Sequence, residues 1–180
     1  GLLPAGGGLK ELALRSANTA IGGDVFQQIQ TIFEVPAMTK VATSALEAKE
    51  MKLVRATDPV IANKDELLYV AKNEALALAR SGYRPPMPAK AIRVAGDIGT
   101  ATIRALLTNM LEGGFVSQHD VEVASRIATV LCGGEVERGS EVDEEWLLNL
   151  ERKHFVALAQ MPLTQARVAH TRRTGKPLRN

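Results

Sequence analysis

The positions of apolar residues along the chain predict a protein built of helices. In most segments these residues recur every three or four positions, the interval that brings them to one face of a helix. The segments end at glycine pairs or at prolines, which commonly terminate helices. Helices are predicted to begin near Leu9, Asp24, Ser44, Asp65, Ile98, Ser117, Asp143 and Pro162.

Several predicted helix starts carry side chains that can cap a helix. Ser44 with Glu47, and Asn63 with Glu66, have the three-residue spacing of a capping box. Asp24 is a favourable N-cap residue, because its carboxylate can accept a hydrogen bond from a free N–H group of the first turn. These residues support the predicted boundaries independently of the apolar spacing.

Two helices stand out by their patterns. The helix from Asp65 to about Ser81 has the clearest apolar face, and the helix from Ile98 to Glu112 carries almost no charge, which predicts that it is buried. Extended backbone is expected in at most one short β-bridge, with 53–62 and 91–95 as the candidate segments. The predicted fold class is therefore all-α.

Composition agrees with this class and excludes some functions. Hydrophobic residues make up 46% of the 180 residues but aromatic residues only 4%, whereas strands favour aromatic and β-branched residues. A net charge of +2 does not suggest nucleic-acid binding, and no apolar run approaches the ~20 residues that span a bilayer. The single cysteine, Cys132, cannot form an internal disulfide, which fits a cytoplasmic protein.

Two further features of the sequence, a basic cluster and the first residue, indicate what the chain could contact and whether it is part of a longer protein. Arg167, Arg172, Arg173, Lys176 and Arg179 lie close together near the end of the sequence. They fit a solvated tail, or a contact with an anion such as a phosphate group, and both interpretations stay open. Because the sequence begins at Gly rather than Met, we expect the chain to be part of a longer polypeptide.

The glycine-rich segment Gly6-Gly7-Gly8 is the first candidate for chemistry. The first N–H groups of a helix have no partner within it, so a glycine turn before a helix can present them to an anion or a carbonyl oxygen. The segment is not a dinucleotide-binding fingerprint, and Glu11 follows Lys10 where a phosphate-binding loop needs Ser or Thr. A structural turn is the alternative.

No other residues form a convincing active site. His119, His154 and His170 lack the spacing of a helical metal pair, and His119, in a predicted first turn, is expected at the surface. Cys132 is expected to be an inert core thiol. Capping or solvation accounts for Glu11, Glu34, Glu47, Glu50, Glu122, Glu144 and Glu145. We predict neither catalytic residues nor a metal site.

The opening of the chain resembles the crotonase superfamily of enoyl-CoA hydratases and isomerases. Residues 1–8 have the form Gly-x-x-Pro-x-x-Gly-Gly before a helix, and residues 43–54 resemble a second family segment, with Lys52 where the family usually has Gly. A narrower resemblance is to the long bacterial 3-hydroxyacyl-CoA dehydrogenases that carry a crotonase domain at their C-terminal end. The matching segments are 66–71, 82–86, 124–134 and 175–180.

This resemblance implies a binding role rather than a catalytic one. In crotonases the oxyanion hole and the acid–base glutamates precede the Pro/Gly loop, so this chain would contain neither. Ala5, Gly6, Gly7 and Gly8 would border the acyl pocket, with Ala5 where hydratases often have Gly. The chain itself would hold no cofactor, while the longer protein would use NAD and coenzyme A thioesters in fatty-acid β-oxidation.

The resemblance also predicts a division of the chain and its partners. Residues 1–82 would complete the crotonase core, 83–96 would connect, and 97–180 would form a helical extension. The part beyond Gly133 would dock on the dehydrogenase. Expected partners are the rest of the polypeptide, acyl-CoA and further copies of the chain, and apolar surface should be exposed where these bind. The alternatives are a helical interaction module with no acyl-CoA role and a small enzyme that uses an unrecognised Glu or His.

Overall fold

The computed structural model describes residues 1–180, apart from the side chain of Ile21. It confirms the predicted class, because the chain is mainly helical with one pair of two-residue strands. The helices are α1 (Gly8–Thr19), α2 (Val25–Ala37), α3 (Ala45–Glu50), α4 (Leu67–Arg80), α5 (Gly96–Glu112), α6 (Gln118–Leu131), α7 (Glu144–Ala159) and α8 (Pro162–Thr174); the strands are β1 (Ile92–Arg93) and β2 (Glu141–Val142). No helix of the described residues is long and apolar enough to cross a membrane.

The chain divides into two compact units. Residues 1–41 and 89–180 form the main unit, and residues 42–88 form the small unit, which contains α3 and α4. The division predicted from the sequence is different, into 1–82, 83–96 and 97–180. That division rests on the family resemblance and not on packing, and it stays a prediction.

Helix α6 lies at the centre of the main unit. It packs against α1, α2, α5 and α7, and its residues Ile127, Ala128, Val130 and Leu131 are at most 1% exposed. Complete burial of a side chain the size of Leu131 contributes about 1.5–3 kcal/mol to folding. The apolar stripe of α6 therefore organises the core against which the other helices are placed.

The two strands pair with each other and connect the segment before α5 to the segment before α7. Ile92 pairs with Val142 and Arg93 with Glu141 in an antiparallel register, so of the two candidate segments 91–95 is correct and 53–62 is not. The chain then turns sharply at Gly96, which has φ +69° and donates its N–H to the carbonyl of Cys132 at 2.8 Å.

Most predicted caps are present, although two capping boxes are only half formed. Asp24 accepts a hydrogen bond from the N–H of Phe26. Ser44 accepts from the N–H of Glu47, but the Glu47 carboxylate accepts from the N–H and hydroxyl of Thr43 instead of returning to Ser44. The Asn63 side chain likewise accepts from the N–H of Asp65, but its own N–H donates no reciprocal bond to the Glu66 carboxylate. The complete box is at α6, between Ser117 and Asp120.

The prediction that the helix beginning near Ile98 is buried is wrong. Helix α5 buries one face, including Ile103 and Leu107, while Ile98 and Leu106 are 58% and 51% exposed. A lack of charge did not indicate burial on all sides, because apolar residues also make up much of the exposed surface of folded proteins.

The apolar face of α4 is present but is not covered. No residue of this helix is buried, and Leu68 and Tyr69 are 82% and 70% exposed. Apolar exposure of this kind is what we expect of a surface that normally contacts another molecule or another part of a larger protein.

The thiol of Cys132 is fully buried, which confirms its predicted place in the core. Burial, opposed by a weaker hydrogen bond with Thr100, raises the pKa of this thiol to about 11. The folded protein should therefore not react with a thiol-specific disulfide reagent at pH 8, because only the thiolate attacks. Unfolding in denaturant should release one reactive thiol per chain. Rapid labelling of the folded protein would contradict this placement.

Candidate functional site

The four residues predicted to border a substrate pocket form one tight turn at the start of α1. Gly6 and Gly7 have φ values of +73° and +96°, the left-handed region that glycine adopts without steric cost. Ala5 and Gly6 are exposed, whereas Gly7 is buried. We call residues Ala5–Gly8 the glycine turn. Its solvent-facing edge is formed by Ala5 and Gly6.

A buried carboxylate that sequence reasoning did not identify holds the inner side of this turn. Glu151 of α7 is 1% exposed. Its carboxylate accepts hydrogen bonds from the N–H of Gly7 at 2.9 Å and from the N–H of Lys10 at 2.5 Å. These N–H groups lie at the N-terminus of α1, where the helix dipole favours a negative charge. Of the three glycine N–H groups that the sequence offered to an anion, that of Gly7 is therefore occupied by the protein itself.

The Lys10 side chain makes a second connection between the same two helices. Its ammonium group donates to Glu144 at 2.8 Å and to Glu11 at 2.6 Å. Glu144 also accepts from the N–H of Ala89 at 2.7 Å. Burial alone would lower the pKa of Lys10, but the hydrogen bonds to the two carboxylates outweigh it and raise that pKa. The hydrogen bond from Lys10 in turn lowers the pKa of Glu144, so this contact is weakened in acid, when Glu144 takes up a proton.

These contacts limit what the glycine turn can do chemically. The carboxylates of Glu144 and Glu151 are committed to donors within the protein, and so is the ammonium group of Lys10. The turn exposes Ala5 and Gly6 to solvent. Gly6 is not crowded by neighbours, because a Cβ atom added there would meet nothing within 4 Å. The ionisable groups beside the turn are thus engaged in contacts within the protein, and the pocket-wall role of residues 5–8 stays a prediction.

A second polar cluster joins the start of α6 to α8 and the end of the chain. Arg167 is 8% exposed. Its guanidinium donates to Asp120 at 2.6 Å, to Ser117 at 3.2 Å and to the side chain of Asn180 at 2.7 Å. Arg167 therefore does not belong to a solvated tail. Arg172, Arg173, Lys176 and Arg179 are exposed, so both interpretations of the basic cluster stay open for these four.

The prediction of a surface role for His119 is wrong. This residue is 4% exposed, and its Nε2 lies 2.9 Å from the hydroxyl of Thr164, which donates to the carbonyl of Gly1. Because the Thr164 hydroxyl already donates its proton to Gly1, the Nε2–H group of His119 is the donor in the hydrogen bond to Thr164. The first turn of α6 is covered by α8, which a pattern local to α6 does not reveal. Burial first, and then the charge of Arg167, lower the pKa of His119.

Acid should destabilise the chain through His119. Between about pH 7 and pH 5.5 the unfolded chain binds a proton near the ordinary histidine pKa of ~6.5, while the folded chain resists protonation. The free energy of unfolding should therefore fall with falling pH, by at most about 1.4 kcal/mol per pH unit for one proton. His119→Gln should reduce this slope in denaturant titrations at several pH values. An unchanged slope would show that His119 does not contribute.

The remaining candidate residues do not converge. The three histidines lie on different helices, and His154 of α7 contacts Arg126 at 3.4 Å rather than a carboxylate. Burial, followed by the charge of Arg126, lowers the pKa of His154. In the described part of the chain no three His, Cys, Asp or Glu side chains are grouped so that they could hold a metal ion.

Comparison with known proteins identifies a relative over the full length of the chain. The chain is 42% identical over 180 residues to a probable 3-hydroxyacyl-CoA dehydrogenase of Bacillus subtilis (strain 168). The alignment covers 100% of this chain but 22% of that protein, so the chain is homologous to a region about one fifth of its length. No protein-family profile matches the chain, and no solved structure is significantly similar to it.

Proposed function

We propose that the chain is the helical C-terminal part of a crotonase-type domain within a longer 3-hydroxyacyl-CoA dehydrogenase of fatty-acid β-oxidation. The observation that carries this proposal is the 42% identity to the Bacillus subtilis protein along the whole chain. The Gly-x-x-Pro-x-x-Gly-Gly motif supports the crotonase assignment, because it forms a tight turn that leads directly into α1.

In this proposal the glycine turn is part of the wall of the acyl pocket. Its exposed edge, Ala5 and Gly6, faces the acyl group, while Gly7 is held from within by Glu151. The oxyanion hole, the acid–base carboxylates and the NAD site belong to other parts of the longer polypeptide. NAD would accept the hydride in oxidation of the 3-hydroxyacyl thioester, and residues of this chain would shape the site for the enoyl thioester.

The helices outside the turn would serve as lid and interface. The exposed apolar residues of α4, among them Leu67, Leu68 and Tyr69, are suited to cover a bound acyl-CoA or to contact a second subunit. The same exposure also favours the alternative, a helical interaction module without an acyl-CoA role. An experiment must therefore separate the two functions.

Deletion of the homologous region from the Bacillus subtilis relative separates them. We expect the deletion to abolish hydration of crotonyl-CoA, because the acyl pocket loses a wall, while oxidation of 3-hydroxybutyryl-CoA by NAD stays measurable. The isolated 180-residue chain should catalyse neither reaction. Hydration by the truncated protein at the rate of the intact one would favour the interaction module, and hydration by the isolated chain would refute the proposal.

A further inference from the structure

Three residues of α7 converge on the glycine turn and the first turn of α1. Glu144, Leu148 and Glu151 are spaced by four and three positions, so they share one face of the helix. Glu144 holds the ammonium group of Lys10, and Glu151 holds the N–H groups of Gly7 and Lys10. A methyl group of Leu148 lies 3.9 Å from the position of a Cβ atom built on Gly7. One face of α7 thus holds this part of the chain by charge and hydrogen bonding, with Leu148 beside the turn.

Glu151 is the member of this face that acts on the backbone of the turn. It is almost completely buried, and its two oxygens are divided between two N–H groups three residues apart. Removal of the carboxylate would leave these donors without a protein partner in a buried site, which is unfavourable in proteins. The turn would then relax toward other backbone conformations, because its two glycines permit many of them.

We propose that Glu151 is a positioning residue that holds the glycine turn in the shape required of a pocket wall. The inference rests on the proposed function, since that function places the turn at an acyl pocket. Glu151 itself does not touch the substrate in this scheme. Its consequence is that α7, in the predicted extension beyond the crotonase core, is necessary for the geometry of the core itself.

Amide hydrogen exchange in the 180-residue chain tests the positioning directly. Glu151→Gln keeps the volume and one acceptor oxygen but presents an NH₂ group to the other N–H donor. We expect the amides of Gly7 and Lys10 to exchange about tenfold faster than in the wild type, and faster still in Glu151→Ala. Amides of α6 should change much less than those of the turn.

Leu158→Ala is the matched control for a general loss of stability. Leu158 lies on the same helix and is fully buried, but it makes no hydrogen bond to the turn. This variant should lower the melting temperature without selective exchange at Gly7 and Lys10. Equal exchange of these two amides in Glu151→Gln and the wild type, or equal acceleration in Leu158→Ala and Glu151→Gln, would overturn the proposal.

Kinetics in a longer protein test the consequence for function. The protein is the Bacillus subtilis relative in which the homologous region is replaced by this chain. Glu151→Gln should lower kcat/KM for crotonyl-CoA hydration about tenfold, mainly through KM, and change NAD-dependent oxidation less than twofold. Unchanged hydration in this variant would overturn the inference. If the unmutated replacement protein oxidises 3-hydroxybutyryl-CoA but does not hydrate crotonyl-CoA, the proposed function fails. In that case the hydrogen-exchange data alone decide whether Glu151 positions the turn.

Discussion

Gly96→Ala should destabilise the main unit by about 3 kcal/mol or more, among the largest effects of a single methyl group in this chain. An added Cβ atom would lie 2.3 Å from the carbonyl oxygen of Val136 and 2.7 Å from the nitrogen of Arg138. Both are backbone atoms, which cannot move away by a side-chain rotation. The position is also fixed, because the N–H of Gly96 donates to Cys132 and that of Asp97 donates to Val136.

Gly175→Ala is the control that isolates this clash. Gly175 has the same φ of +69° as Gly96, but a Cβ atom there would meet nothing within 4 Å. Gly175→Ala should lose only about 1–2 kcal/mol of stability, which is the cost of a left-handed backbone conformation for alanine. Denaturant unfolding can be followed through Trp146, the one tryptophan of the sequence, whose indole N–H donates to the carbonyl of Gly133 in the main unit. Equal losses in the two variants would contradict the close approach at Gly96.

Arg167→Ala should destabilise the main unit by about 2–4 kcal/mol, because it leaves a partly buried carboxylate without its cation. The side chains of Arg167 and Asp120 are 10% and 28% exposed, and the pair connects α6 to α8. Arg167→Lys should recover only part of the loss, since an ammonium group cannot contact Asp120, Ser117 and Asn180 together. Arg172→Ala, at an exposed position of the same helix, should change stability by less than about 0.5 kcal/mol.

Arg167→Ala should also change how the stability of the chain depends on pH in acid. Burial alone would raise the pKa of Asp120, but the hydrogen bonds from Ser117 and Arg167 outweigh it and hold that pKa below its ordinary value. A depressed carboxylate pKa adds stability above the ordinary value near 4, and this stability is lost as the pH falls through the folded pKa. Without Arg167 the contribution at neutral pH should shrink. An acid unfolding profile that Arg167→Ala leaves parallel to the wild type would contradict this role.

Features that depend on neighbouring residues were predictable from the sequence. Asp24, Ser117 and Asp143 cap the helices that they were predicted to start, because a cap needs only a side chain and the next two or three N–H groups. The segment 91–95, which contains β1, was one of two candidates for extended backbone, and local sequence did not decide between them. Local chemistry therefore determined the fold class and most helix boundaries.

Features that depend on distant residues were not predictable in this way. Glu151 accepts a hydrogen bond from the N–H of Gly7, which lies 144 positions earlier in the sequence. His119 is covered by α8, and the residues around His119 do not predict where that helix lies. One signal for Glu151 was present: it is a charged residue between Leu147 and Leu158 on the buried face of α7. A charge in an apolar stripe requires a partner, but the sequence does not show that the partner is the glycine turn.

The assignment to an acyl-CoA enzyme is tested most directly by replacing the homologous region of the Bacillus subtilis relative with this chain and measuring crotonyl-CoA hydration. We predict that the replacement protein hydrates crotonyl-CoA at a rate comparable to that of the unmodified relative, and that this activity disappears when the region is deleted. A folded replacement protein that oxidises 3-hydroxybutyryl-CoA with NAD but does not hydrate crotonyl-CoA, beside an unmodified relative that does, would contradict the account.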